Sequence, residues 1–188
     1  MKYQEITILP DEGVGTAYLW SKLYLILHIS LADFKNKTGK QDIGVAFPQI
    51  KNKNLGQKIR IFGEESALKT LNLKEKLEIY NDYMHITKIR NIPEVIKGYA
   101  TYSRYQPDNS IPSKARRYIK RHENTSYEEA MKLLKRKETI KTYPYVLIDS
   151  ISTKQKFHLC IIKEKAKKSE NNSYSTYGLS KTSSVPEF

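Results

Sequence analysis

The segment YLWSKLYLILHISLADF, residues 18–34, constrains this chain more than any other. Leu19, Leu23, Ile26, Leu27 and Ser30 recur at helical spacing, with only Ser30 polar, which predicts a helix over residues 15–34. Ser21, Lys22, His28 and Ser30 interrupt the apolar run, so it falls short of a membrane span and reads as a helix of a soluble domain. Strand-like segments lie around it. YQEITIL (3–9) places Ile6 and Ile8 on one face, IGVAFP (43–48) is short and apolar, KIRIFG (58–63) alternates Ile59 with Ile61, and YMHITKI (83–89) follows. EESALKTLNL (64–73) reads as a second helix with acids in its first turn, where the helix dipole favours them, and residues 73–80 add a short helical piece. The order β-α-β-β-α-β is that of a ferredoxin-like sandwich, a fold that serves RNA-binding proteins and many others.

Pro93 marks an expected boundary, with a ferredoxin-like domain over 1–93 and a more basic α+β domain over 94–188. In the second part GYATYSRYQ (98–106) looks extended and PDNSIP (107–112) reads as a turn. A basic helix follows, with Ser113 as candidate N-cap. Ser126 and Glu129 form a capping box for another helix through Leu133 and Leu134. Residues 143–150 and 156–162 read as strands, and 163–173 as a solvated loop.

The chain of 188 residues carries 33 Lys and Arg against 20 Asp and Glu, a formal charge of +13. A polyanionic partner relieves the self-repulsion of such a surface. Nucleic acid is the first candidate, an anionic membrane surface the second, and solubility alone the third. The charge concentrates in SKARRYIKRHEN (113–124), which holds Lys114, Arg116, Arg117, Lys120 and Arg121. On a helix Ala115, Tyr118, Ile119 and His122 form an anchoring stripe, and the cations fill another side. Solvated helices usually mix signs to gain i,i+4 pairs; here Glu123 is the only acid near, which favours phosphate binding over a plain solvated face.

Cys160 is the single cysteine, so no internal disulfide forms, and no Cys/His cluster has structural-zinc spacing. MKYQEITILPDEG lacks the apolar core and cleavage site of a signal peptide, and a reducing, cytoplasmic setting is expected. There is no carboxylate pair, Gly-rich phosphate loop or H-E-x-x-H motif, and the scattered acids offer no evident ligands for two-metal nuclease chemistry. No metal or cofactor is expected. Of the histidines, His85 and His158 lie in predicted strands and His122 on the anchoring stripe. His28, in the most apolar helix, is either a packed imidazole with one nitrogen satisfied or a general base able to take a proton from a hydroxyl. Metal-free cleavage has a simple route in RNA, where a deprotonated 2′-hydroxyl attacks the adjacent phosphate. A histidine, a hydroxyl side chain and geometric restraint suffice for it.

The chain resembles the CRISPR-associated endoribonuclease of type I-F systems, which processes precursor CRISPR RNA at repeat hairpins. The carriers are LHISL around His28, IGVAFP (43–48), LGQKIRI (55–61), SRYQ (103–106) and the basic helix (114–122). DSISTKQKF (149–157), YGLSK (177–181) and VPEF (185–188) complete them. The likeness covers essentially the whole chain. It implies that His28 is the general base on the 2′-hydroxyl, that Ser150 holds the ribose before the cut, and that Tyr177 orients the histidine. It further implies that Phe157 stacks at the base of the stem and that Arg104 and Gln106 read base edges there, arginine on guanine and glutamine on adenine. Ordinary readings stand beside these: a strand-end serine, a packing tyrosine among 14, and a core phenylalanine. The basic helix resembles the family's arginine-rich helix, which lies in the major groove of the hairpin. An A-form major groove is normally too narrow for side chains, a limit that a short stem relaxes. Lys114 and Lys120 depart from the arginine-rich pattern and lack its bidentate fork. The partners implied are the repeat RNA hairpin and the other subunits of a type I-F surveillance complex. The alternative is a non-catalytic hairpin-binding module or complex subunit.

Overall fold

The computed structural model describes residues 1–9, 11–105, 111–122, 124–137, 143–149 and 155–188. They divide into two compact units, Met1–Tyr105 with Tyr143–Phe188, and Gln106–Thr142.

In the larger unit the chain runs β1 (Lys2–Ile8), α1 (Thr16–Thr38), β2 (Gly44–Ala46), β3 (Lys58–Gly63), α2 (Glu65–Leu71), α3 (Leu73–Lys76) and β4 (Met84–Ile86). The strands form an antiparallel sheet in the order β2-β3-β1-β4, which is the ferredoxin-like arrangement expected from the sequence. A two-residue strand β5 (Arg90–Asn91) also pairs with β1. A second antiparallel sheet, in the order β7-β8-β6-β9, contains β6 (Gly98–Tyr105), β7 (Tyr145–Asp149), β8 (Lys156–Ala166) and β9 (Val185–Glu187). The first sheet lies wholly before residue 93 and the second wholly after it. Both sheets nevertheless belong to one unit, because they share a core.

That core explains α1. Leu19, Leu23, Leu27, Leu31 and Phe34 recur every three or four residues and are buried, as are Ile6, Ile8, Ile59 and Ile61 on the facing strands. Each such side chain contributes about 1.5–3 kcal/mol on burial. The helix runs past the expected end at residue 34 to Thr38. It stops where Gly39 adopts a left-handed φ of 71° and donates its N–H to the Lys35 carbonyl at 2.8 Å.

Several local expectations are corrected. The strand expected over 83–89 covers only Met84–Ile86. Thr87 takes over its pairing, its N–H donating to the Glu5 carbonyl and its hydroxyl accepting from the Glu5 N–H. Residues 163–166, expected in a loop, extend β8, because the ladder to Tyr99–Tyr102 continues through them, with Lys163 paired to Glu187 on β9 and Glu164 and Lys165 exposed. β9 was not anticipated; it is an edge strand, the position in a sheet where Pro186 is tolerated.

The smaller unit holds α4 (Ile111–Ile119) and α5 (Tyr127–Lys137), which pack on each other. α4 begins two residues before Ser113, with Pro112 in its first turn, so Ser113 is inside the helix and is not its cap. It also ends before Lys120, Arg121 and His122, which lie in a following turn in which Arg121 N–H donates to the Tyr118 carbonyl at 3.0 Å. The capping box of α5 is formed. Glu129 N–H donates to Ser126 Oγ at 3.2 Å and Ser126 N–H to Glu129 Oε2 at 2.9 Å, and hydrogen bonding from the Ser126 backbone, then from its side chain, holds the Glu129 carboxyl below its usual range.

Candidate active site

Helix periodicity places Tyr24 and His28, four residues apart, on one face of α1. Against that face lies a turn whose Gly178 N–H donates to the Ser175 carbonyl at 2.8 Å. Gly178 has φ +70°, and a Cβ there would fall 2.6 Å from Val45 Cγ1, so both the conformation and the space call for glycine.

The turn is fastened through three successive carbonyls. Thr176 O is 2.9 Å from His28 Nδ1, Tyr177 O accepts from the Tyr24 hydroxyl at 2.9 Å, and Gly178 O accepts from the Val45 N–H at 3.0 Å. A carbonyl oxygen only accepts, so His28 Nδ1 carries a proton. In the neutral ring the lone pair therefore sits on Nε2, which is the tautomer a base requires. The ring of Tyr177 stacks on this imidazole with centroids 4.1 Å apart and planes 5° from parallel. Both rings are half-buried.

Beside them stands Arg104 on β6. Its guanidinium carbon is 5.1 Å from the Phe157 ring centroid and 5.9 Å from that of Tyr177. Among the described residues, the buried Arg104 Nε has no hydrogen-bond partner. Phe157, on β8 opposite Ile148, is half-buried and packs against the core while its ring meets the Arg104 cation. Burial pushes the nearby Cys160 thiol up against the pull of Arg104, so the thiol stays protonated and is no nucleophile.

The structure thus brings together His28, Tyr177, Arg104 and Phe157. Ser150 and Gln106 lie outside the described residues. Lys114, Arg116, Arg117, Lys120 and Arg121 are all exposed in the smaller unit, where Ala115 is buried and Tyr118 and Ile119 half-buried. His122, expected on that anchoring stripe, is exposed, with its ring 4.3 Å from Tyr118, because the helix has ended before it. His85 and His158 are exposed as well. Among the described residues no three His, Cys, Asp or Glu side chains cluster as a metal site, and no helix is long and apolar enough to cross a membrane.

Two contributors escaped the sequence reading. Tyr24 carries no motif, and the Thr176 carbonyl is backbone, which every residue has. The one available signal was the i,i+4 spacing of Tyr24 and His28.

Comparison with known proteins gives a consistent result. The family described as CRISPR-associated protein (Cas_Csy4) matches residues 3–188. A protein of Escherichia coli (strain UTI89 / UPEC) named CRISPR-associated endonuclease Cas6/Csy4 is 31% identical over 191 aligned positions, covering 99% of this chain and 98% of that protein. The protein of the same name from Pseudomonas aeruginosa (strain UCBPP-PA14) is 31% identical over 192 positions, with the same coverage of 99% and 98%.

Proposed function

The chain belongs to the Csy4 family of CRISPR-associated proteins, and from that premise we propose that it is an endoribonuclease cutting precursor CRISPR RNA on the 3′ side of a repeat hairpin. The coarser reading, a CRISPR-associated endonuclease, has the support of the relatives' names. The finer reading is carried by one observation: His28 gives its Nδ1 proton to the Thr176 carbonyl and keeps Nε2 as the lone-pair nitrogen of the neutral ring.

In the proposed reaction Nε2 takes the proton of the ribose 2′-hydroxyl. The resulting oxyanion attacks the adjacent phosphorus and the bond to the 5′-oxygen breaks. That oxygen takes a proton from solvent and leaves as the 5′-hydroxyl of the downstream fragment, while the upstream fragment ends in a 2′,3′-cyclic phosphate and the imidazolium returns its proton to solvent. Tyr177 holds the imidazole by stacking, and Ser150 holds the ribose. Arg104 and Gln106 read base edges at the foot of the stem, and Phe157 stacks there. The cations of 114–121 bind phosphates, which position the hairpin without reading its sequence. The reaction needs no metal. The protein stays bound to the product hairpin and joins the other subunits of a surveillance complex.

Incubation of the full chain with a repeat RNA in excess EDTA tests this. The expected products carry 5′-hydroxyl and 2′,3′-cyclic phosphate ends, and a 2′-deoxy sugar before the cut stops the reaction. Intact RNA under tight binding would instead identify a hairpin-binding module without turnover. Cleavage of the 2′-deoxy substrate would point to attack by water.

A further inference from the structure

The hydroxyl of Tyr24 lies on the α1 face that carries His28, and the proposed reaction leaves it unused. We infer that Tyr24 is a positioning residue for His28, acting through the Tyr177 carbonyl. This rests on the reading of His28 as the base.

The geometry is that of a two-point clamp. In an extended chain successive carbonyls point to opposite sides. Here the turn closed by Gly178 N–H on the Ser175 carbonyl brings the carbonyls of Thr176 and Tyr177 to the same helix. Two donors one helical turn apart then take one each: His28 Nδ1 at 2.9 Å and Tyr24 Oη at 2.9 Å. The Gly178 carbonyl is held separately by the Val45 N–H, so without the Tyr24 bond the stretch between that anchor and the His28 bond could still rotate; the Tyr24 bond fixes it at the Tyr177 carbonyl. What it fixes is the plane of the Tyr177 ring, which lies 4.1 Å from the imidazole, and the distance from the Thr176 carbonyl to Nδ1.

The Tyr24 donor is a constant one. Its side chain is fully buried, and its ring stacks on Phe47 with centroids 6.1 Å apart and planes 12° from parallel. Burial first, and the neighbouring Tyr177 second, push its hydroxyl far above the usual phenol range, so the proton stays in place at neutral pH. The Phe47 stack also makes the test clean: Tyr24→Phe keeps the ring and deletes only the donor.

The experiment compares Y24F with the parent full-length chain in two measurements. Single-turnover cleavage of a repeat hairpin is measured beside the hairpin Kd. The expected result is a cleavage rate lower by roughly 10- to 100-fold, the usual loss when a reacting group is misplaced by about 1 Å, with Kd within about twofold of the parent. Nitrogen-15 spectra of labelled histidine then report which ring nitrogen of His28 carries the proton. The parent should show the Nδ1 proton alone, and Y24F a mixture of tautomers. Parent-like cleavage by a folded Y24F, or an unchanged His28 spectrum, overturns the inference. So does a parent spectrum with the proton on Nε2, which requires no variant and decides the matter even should Y24F fail to fold. If the parent does not cut the RNA at all, the reaction reading falls, while the change in His28 tautomer between parent and Y24F still decides whether Tyr24 positions the ring.

Discussion

The guanidinium of Arg104 lies over the ring of Phe157, 5.1 Å from its centroid, and the buried Nε of that arginine has no acceptor among the described residues. An unpaired buried donor carries a desolvation cost that a ligand acceptor removes. The rings of Phe157 and Tyr177 flank the planar cation, with centroids 5.1 Å and 5.9 Å from its carbon. Arg104→Lys keeps the charge and loses the fork. Hairpin affinity is expected to fall by about 1–3 kcal/mol, and discrimination between guanine and adenine at the foot of the stem should shrink with it. Competition binding with the two stems measures both. A parent-like preference in the lysine variant would remove Arg104 from the reading of bases.

Gly178→Ala tests the turn that carries Tyr177. Alanine must adopt φ +70°, and its Cβ would stand 2.6 Å from Val45 Cγ1. Left-handed strain of this kind costs on the order of 1–3 kcal/mol, or the turn shifts to relieve it. Because Gly178 O and Tyr177 O are fastened to Val45 and Tyr24, a shift would carry the Tyr177 ring off the imidazole. The thermal midpoint should drop, and cleavage should fall by a larger factor than hairpin binding. Equal losses in the two would show that the turn serves stability alone.

The same turn shows where sequence reasoning stops. α1 and the first sheet were legible because apolar residues at period 3.6 and period 2 report directly on burial, as Leu19, Leu23 and Leu27 on the helix and Ile59 and Ile61 on β3 demonstrate. The polar end of β8 was not, since a run such as Lys163, Glu164 and Lys165 has the same composition in a loop and in a strand exposed on both faces. The site divides similarly. His28, Tyr177, Arg104 and Phe157 could be named from chemistry and resemblance. The meeting of His28 with Tyr177 depends on the carbonyls of Thr176 and Tyr177, and backbone groups leave no mark in a sequence. The foreshortened basic helix is a third case. Lys120 and Arg121 continue the cationic stripe in composition, but the helix they were assigned to has already ended at Ile119.

That ending bears on RNA binding. Arg116 and Arg117 present their charges from a helix, and Arg121 from the turn after it. All three are exposed, so they are available to phosphates. Replacing them together by glutamine should reduce the slope of log K against log salt by about 0.7–0.9 for each phosphate no longer neutralised, with little change in the stability of the fold. A slope that does not move would mark this stretch as a solvated face.

The buried tyrosines predict how the fold responds to alkali. Burial raises the hydroxyls of Tyr24, Tyr102 and Tyr174 above the usual range, Tyr174 to about 12. Tyrosines in the unfolded chain give up their protons near pH ~10. Between pH ~10 and about 12 the folded Tyr174 therefore keeps a proton that the unfolded chain has lost. The folded state binds more protons there, so stability falls as pH rises through that window, and below pH ~10 the contribution is fully present. Tyr174→Phe separates this from other effects. The variant loses the hydrogen bond from the Tyr174 hydroxyl to the Ser184 carbonyl, 2.9 Å long, and should be less stable at neutral pH by about 0.5–1.5 kcal/mol. It also loses the titrating group, so its stability declines less steeply above pH ~10, and the two curves should converge there. Urea midpoints measured at intervals from neutral pH into the alkaline range give the comparison. Parallel curves would mean that Tyr174 titrates alike in the folded and unfolded chain.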